Sequence, residues 1–104
     1  MAGMGKILKQ AQKMQQEMAR VQAELGEKEI EVTAGGGMIT VKVTGNQHIT
    51  GLKIRPEVVD PDDVEMLEDL IQAAVNQALE SSQKMVQDEM GKITGGLNIP
   101  GLGF

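Results

Sequence analysis

An apolar seam runs through the first 25 residues of this chain and limits the folds that it can adopt. Apolar side chains recur there at alternating steps of three and four, which is the a and d spacing of a coiled coil. The seam consists of Met4, Ile7, Ala11, Met14, Met18, Val21 and Leu25. A helix over this stretch is a rod of about 30 Å with one narrow apolar face. Such a face suits a partner helix better than a broad core, so we predict that these residues form the interface of a homodimer.

The pattern changes after residue 28 to an alternation of apolar and polar residues, which is typical of strands. The predicted strands are Ile30–Ala34, Ile39–Thr44 and His48–Arg55, with turns at Ala34–Gly37 and Thr44–Gln47. Ile49 is out of phase with the other apolar residues of the third strand, so we expect a bulge or kink near Gly51. The segment therefore predicts a three-stranded antiparallel β-meander with one apolar face.

A second helix is predicted from Asp60 to about Met90. Asp60 is placed as the N-cap and Pro61 as the first helical residue, with further acids in the first turn. The apolar stripe is wide up to residue 80 and thin beyond it, so the first half is expected to cover the sheet and the second half to project. Residues 95–104 contain four glycines and are predicted to be a flexible tail. Residues 1–94 are expected to form a single α+β domain.

Several function classes are disfavoured by composition. The chain has no cysteine and one histidine, His48, so neither a thiolate metal site nor a Ser-His-Asp set can be assembled. The Gly35–Gly37 run precedes a strand, whereas phosphate loops precede helices. No apolar run is long enough for a signal peptide or a membrane span. We therefore expect no enzyme, cofactor, metal, small-molecule substrate or membrane attachment, and a cytoplasmic location.

The net charge of −5 does not exclude an acidic partner, because the acidity is local. Seven acids and no base lie between Glu57 and Asp69, and the rest of the chain has ten bases and eight acids. Four bases of the first helix recur along one strip opposite the seam: Lys6, Lys9, Lys13 and Arg20. Such a row can bind phosphates, and neighbouring glutamines such as Gln10 can donate to phosphates or base edges.

Two other interpretations of the basic residues stay open. The strip is equally typical of a solvated outer helix face. Lys42, Lys53 and Arg55 are expected on the polar face of the sheet and offer a second basic surface. We rank that surface lower because Glu29 and Glu31 can neutralise it across the strands.

Four segments, taken together, resemble the YbaB/EbfC family of bacterial nucleoid-associated proteins. They are the glutamine- and methionine-rich Lys9–Gln15, the glycine turn and strand Gly35–Gly45, the helix segment Glu65–Ala78 (EMLEDLIQAAVNQA) and the tail Leu97–Phe104. The resemblance covers essentially the whole chain and includes no catalytic motif. One departure is Arg55 before Pro56, where family members more often have an acid.

The resemblance implies a tweezer-like homodimer with helices projecting from a joined sheet platform. It also implies binding of duplex DNA with weak or variable sequence preference, in chromosome organisation and gene regulation at the nucleoid. In members of this family, DNA contact is attributed to the terminal helices, and the resemblance implies the same here. The positions that fit here are Lys6, Lys9, Gln10, Lys13, Arg20, Lys84, Gln87 and Lys92.

The main alternative is a prefoldin-like chaperone or a protein-interaction adaptor. Eight methionines and an apolar seam suit an adaptable grip on unfolded chains. Salt separates the alternatives, because phosphate contacts weaken with salt and apolar contacts do not.

Overall fold

Two long helices flank a three-stranded antiparallel sheet in the computed structural model, which describes residues 2–95. The elements are α1 (Ala2–Glu27), β1 (Glu29–Ala34), β2 (Ile39–Thr44), β3 (Ile49–Ile54), a single 3₁₀ turn (Pro56–Val58) and α2 (Val64–Gly95). The predicted α+β order of helix, β-meander and long helix is confirmed. The predicted tail lies outside the described residues, except for Gly95, which ends α2.

The central strand supplies most of the core. Ile39, Val41 and Val43 of β2 are fully buried, because they project from one face of the sheet towards α2. Ala74 and Ala78 of α2 are also fully buried against this cluster. Their small side chains, four residues apart on one helix face, allow the α2 backbone to lie close to the sheet.

The direction of α2 follows from its contacts at the two ends of β2. A methyl group of Leu70 lies beside Gly35, in the turn before β2. Three turns later the Ser82 hydroxyl donates a 2.6 Å hydrogen bond to the Thr44 carbonyl, at the end of β2. Helix α2 therefore runs along β2 in the same direction, and its remaining turns extend past the sheet.

The end of α1 is fixed to the turn between β2 and β3 by backbone hydrogen bonds. The Gly45 N–H donates to the Lys28 carbonyl and the Asn46 N–H donates to the Gly26 carbonyl, both at 3.1 Å. A Cβ at Gly45 would overlap the Leu25 carbonyl, so only glycine allows this approach. From this attachment α1 packs on α2 and projects, and the radius of gyration is 20.0 Å. A compact domain of this length would have about 13 Å.

The bulge expected in β3 is present beside Gly51. Lys42 pairs with Gly51, but the next residue of β2, Val43, pairs with Ile49. Thr50 is therefore an extra residue, and the extra residue returns Ile49 to the apolar face of the sheet. The turn Gly35–Gly37 is also confirmed, and all three glycines have positive φ angles.

The predicted start of the second helix is wrong by three residues: α2 begins at Val64 rather than Pro61. The Asp63 carboxylate accepts a 3.2 Å hydrogen bond from the Met66 N–H, so Asp63 rather than Asp60 is the N-cap. The Asp60 carboxylate instead accepts from the Asp62 N–H and forms a preceding turn. The helix also continues past Met90 to Gly95.

Candidate nucleic-acid interface

The four predicted bases of α1 lie on the side of the helix that faces away from α2. Lys6, Lys9, Lys13 and Arg20 are all exposed, and Gln10 is exposed beside them. The opposite side carries the seam. Leu25 is only 6% exposed within the single chain, so the seam ends in the protomer's own interior.

Exposure along the seam rises steadily away from the sheet. Met18 and Val21 are half-buried, whereas Met4 and Ile7 are 66% and 65% exposed. Part of the predicted dimer interface therefore packs against α2 of the same chain. The first turns of α1 project without support from α2, and they carry the lysines of the strip.

Acidic neighbours divide the strip into two parts. Arg20 contacts Glu24 at 3.0 Å and Glu17 at 3.6 Å, one turn away on either side. Among the side chains that the structure describes, Lys6, Lys9 and Lys13 form no ion pair. These lysines are therefore fully available to an anionic partner, whereas Arg20 must first leave its two carboxylates. The i−3 and i+4 spacing of the glutamates would have revealed this pairing in the sequence.

The three candidate residues of α2 do not share one strip. Lys84, Gln87 and Lys92 are all exposed in the part of α2 that lies past Ser82. Gln87 and Lys92 lie about 140° apart around the helix, from their five-residue spacing. Lys92 also contacts Glu89 at 3.1 Å. The structure thus favours the α1 lysines over the α2 residues as a continuous basic surface.

The polar face of the sheet holds a second, mixed surface. Glu31 lies directly opposite Lys42 in the strand register, yet no described side chain forms an ion pair with Lys42 or Lys53. The Glu29 carboxylate accepts a 2.9 Å hydrogen bond from the Thr50 hydroxyl. Two acids within this face weaken its attraction for phosphates, so it ranks below α1.

Other kinds of site find no support in the part of the chain that the structure describes. No group of three or more histidine, aspartate or glutamate residues there could hold a metal ion. None of the helices within residues 2–95 is long and apolar enough to cross a membrane.

Comparison with known proteins identifies relatives along nearly the whole chain. A nucleoid-associated protein of Desulforamulus reducens is 62% identical over 99 residues, covering 95% of this chain and 94% of the relative. One from Alkaliphilus metalliredigens is 60% identical over 99 residues, covering 95% of this chain and 87% of the relative. Both names describe association with the nucleoid rather than an enzyme.

A solved structure shares the fold. An uncharacterized protein of Helicobacter pylori, HP0035, superposes with a TM-score of 0.56 at 18% identity, covering 85% of this chain and 95% of that one. Residues 1–97 match the sequence model of the YbaB/EbfC DNA-binding family. With these relatives and this match, the chain belongs to the YbaB/EbfC DNA-binding family.

Proposed function

We propose that this protein binds duplex DNA as a homodimer with weak or variable sequence preference, and organises the chromosome and regulates genes at the cytoplasmic nucleoid. The observation that carries the proposal is the row of Lys6, Lys9 and Lys13 on one helix, which are exposed and form no ion pair with a described side chain. Each lysine that neutralises a phosphate releases a condensed counterion, so binding is favoured by charge and is independent of sequence.

Duplex DNA fits this surface better than a single strand. Proteins that bind single strands stack the bases on aromatic side chains, and the sole aromatic residue of this chain is Phe104. A straight row of lysines on one helix instead suits the regular phosphates along a groove. Exposed Gln10, next to the row, can donate to phosphates or to base edges.

The position of the acidic stretch, away from the α1 lysines, supports the proposal. Helix α2 begins beside the Gly35–Gly37 turn, at the end of the sheet away from the Gly45 attachment of α1. The acids of Glu57–Asp69 therefore lie at one end of the protomer and the α1 lysines at the other.

We propose that the dimer forms at the open edge of β3. Helix α2 covers β1 and β2, and the apolar face of β3 is left partly bare. Ile49 and Leu52 are 38% and 47% exposed, although their partners Val43 and Val41 are fully buried. Pairing of two β3 edges would cover these side chains and satisfy the unpaired backbone groups. It would also leave both α1 helices projecting, as in tweezers.

The DNA proposal is tested by reversing the three unpaired lysines to glutamate together. We expect duplex binding in a gel-shift series to be lost, and the free energy of unfolding to stay within about 0.5 kcal/mol, because all three side chains are exposed. The matched control reverses Lys42 and Lys53 on the sheet, which should reduce binding much less. Loss of binding in the control alone would move the site to the sheet.

The salt series also tests the chaperone alternative, which the exposed Met4 and Ile7 favour. Duplex affinity should fall steeply as salt rises. If instead the protein binds unfolded chains with salt-independent affinity and does not bind DNA, the chaperone hypothesis replaces the DNA-binding proposal.

Sedimentation tests the proposed dimer: Leu52→Glu should give monomers, whereas Lys53→Glu on the opposite face of β3 should not. A dimer that survives Leu52→Glu would exclude the β3 edge.

A further inference from the structure

The first three turns of α1 carry a bare apolar surface. Met4, Ile7 and Leu8 are 66%, 65% and 62% exposed and lie close together on one side of the helix. We name these three residues the tip surface. A contiguous exposed apolar group of this kind marks a contact site, and none of the described residues covers it.

The position of the tip surface follows from where α2 ends. Val86 lies beside Gly45, at the attachment of α1. From there the two helices run in opposite directions, and α2 continues for nine residues to Gly95, about 14 Å. The same length measured back along α1 from Leu25 reaches Gln16. Seam residues within that reach are buried or half-buried, and Met4 and Ile7, well beyond it, are exposed.

We infer that the tip surface is covered by residues 97–104 of the same chain. This segment starts just after α2 ends, at the level of Gln16, and it contains four large apolar residues: Leu97, Ile99, Leu102 and Phe104. Eight extended residues span about 26 Å, which exceeds the roughly 18 Å along α1 from Gln16 to Met4. The segment is therefore long enough, and it begins in the right place.

The same chain is favoured over a second copy because of the tether. A segment joined within a few residues of its site has an effective concentration in the millimolar range. A separate molecule would have to reach that concentration to compete. Glycines in the segment permit backbone conformations that return towards α1, and its apolar side chains would be removed from water on binding.

The consequence is a stiffer α1 at the position of the strip lysines. An isolated end of a helix frays readily, and Lys6 and Lys9 are in the first turns. Covering the opposite side of those turns would hold the lysines in one row. The inference is independent of DNA binding, because the tip surface is on the other side of α1 from the lysines.

Cysteine pairs test the contact directly, since the natural chain has no cysteine. Ile99 should lie near Ile7 when the segment is extended, so we pair Ile7→Cys with Ile99→Cys. The matched control pairs Lys9→Cys, on the opposite face, with the same Ile99→Cys. We expect the intrachain disulfide to form at least about tenfold faster in the first pair, because bridging requires a close approach of the two Cα atoms. Equal rates would overturn the inference.

A mixture of isotopically labelled and unlabelled chains distinguishes the occupants. Disulfides within one chain support the inference, whereas disulfides mainly between chains show that a second copy covers the tip surface and overturn it. In a second variant, Leu97, Ile99, Leu102 and Phe104 are all changed to serine. Hydrogen exchange of residues 4–11 should then accelerate about tenfold, with residues 18–25 unchanged. Unchanged exchange at residues 4–11 would contradict the docking.

Discussion

Two regions of the molecule differ in how far their side chains are buried. One is the sheet with the first half of α2, and the other is the projecting part of α1. In the first region, β2 and the facing residues of α2 bury their side chains completely. In the second, the first turns of α1 bury nothing within the described residues, and polar, charged and apolar side chains are all exposed. Stability therefore depends on the first region, whereas the second is the part of this small protein for which we propose DNA contact. Substitutions should therefore affect one property without the other.

The largest effect on stability is expected in the buried region. Ile39→Ala should lower the free energy of unfolding by about 2–5 kcal/mol, because it leaves a cavity under α2. Lys42→Ala, on the other face of the same strand, should change it by less than about 0.5 kcal/mol. Denaturant unfolding measures both. Similar values for the two variants would show that the two faces of the sheet contribute equally to stability and would contradict the prediction.

A smaller effect is expected where the two regions meet. Gly45→Ala places a Cβ against the Leu25 carbonyl, so the end of α1 must shift, at a cost of about 1–3 kcal/mol. Gly51→Ala is the matched control, because its Cβ would make ordinary contacts of 3.5 Å or more with Lys42. Hydrogen exchange should show loss of protection in α1 for the first variant and not for the second.

The hydrogen bond at the end of β2 should contribute less. Ser82→Ala removes the 2.6 Å bond to the Thr44 carbonyl and should cost about 1 kcal/mol. The carbonyl keeps a 2.9 Å bond from the Gln47 N–H, so it is not left without a partner. Ser81→Ala, beside it but less buried, is the control. A loss of more than about 3 kcal/mol in the free energy of unfolding would contradict this value and show that this hydrogen bond determines the position of α2 on the sheet.

The smallest effect concerns binding alone. Changing Glu17 and Glu24 to glutamine releases Arg20 from its carboxylates. Its guanidinium then becomes available, and the salt dependence of DNA binding should steepen by about one counterion. The unfolding free energy should change by less than about 1 kcal/mol, because exposed ion pairs contribute little. If the slope stays the same, Arg20 lies outside the DNA contact.

The fold was largely predictable because buried side chains recur along the sequence with the period of the helix or strand that contains them. The alternation in β2 and the out-of-phase Ile49 predicted the strand and its bulge correctly. The N-cap was misplaced because Asp60 and Asp63 both satisfy the capping pattern, and three-dimensional context chooses between them. The sequence also could not show that Leu25 packs inside its own protomer. An apolar seam indicates that a helix packs against another element, but it does not indicate whether that element belongs to the same chain or to a second copy.

The attachment of α1 at Gly45 makes that helix a lever. The distance from Leu25 to the start of the helix is about 35 Å, so a rotation of only about 6° at the attachment displaces the far end by roughly 3.4 Å. This is close to the rise per nucleotide along the axis of a DNA duplex. A small adjustment of a few backbone bonds near Gly45 would thus shift the lysines by roughly 2 to 3 Å, with the largest shift at Lys6. Such a mechanical advantage would let the same helix follow grooves of different width, without any change in the side chains that we propose to contact DNA.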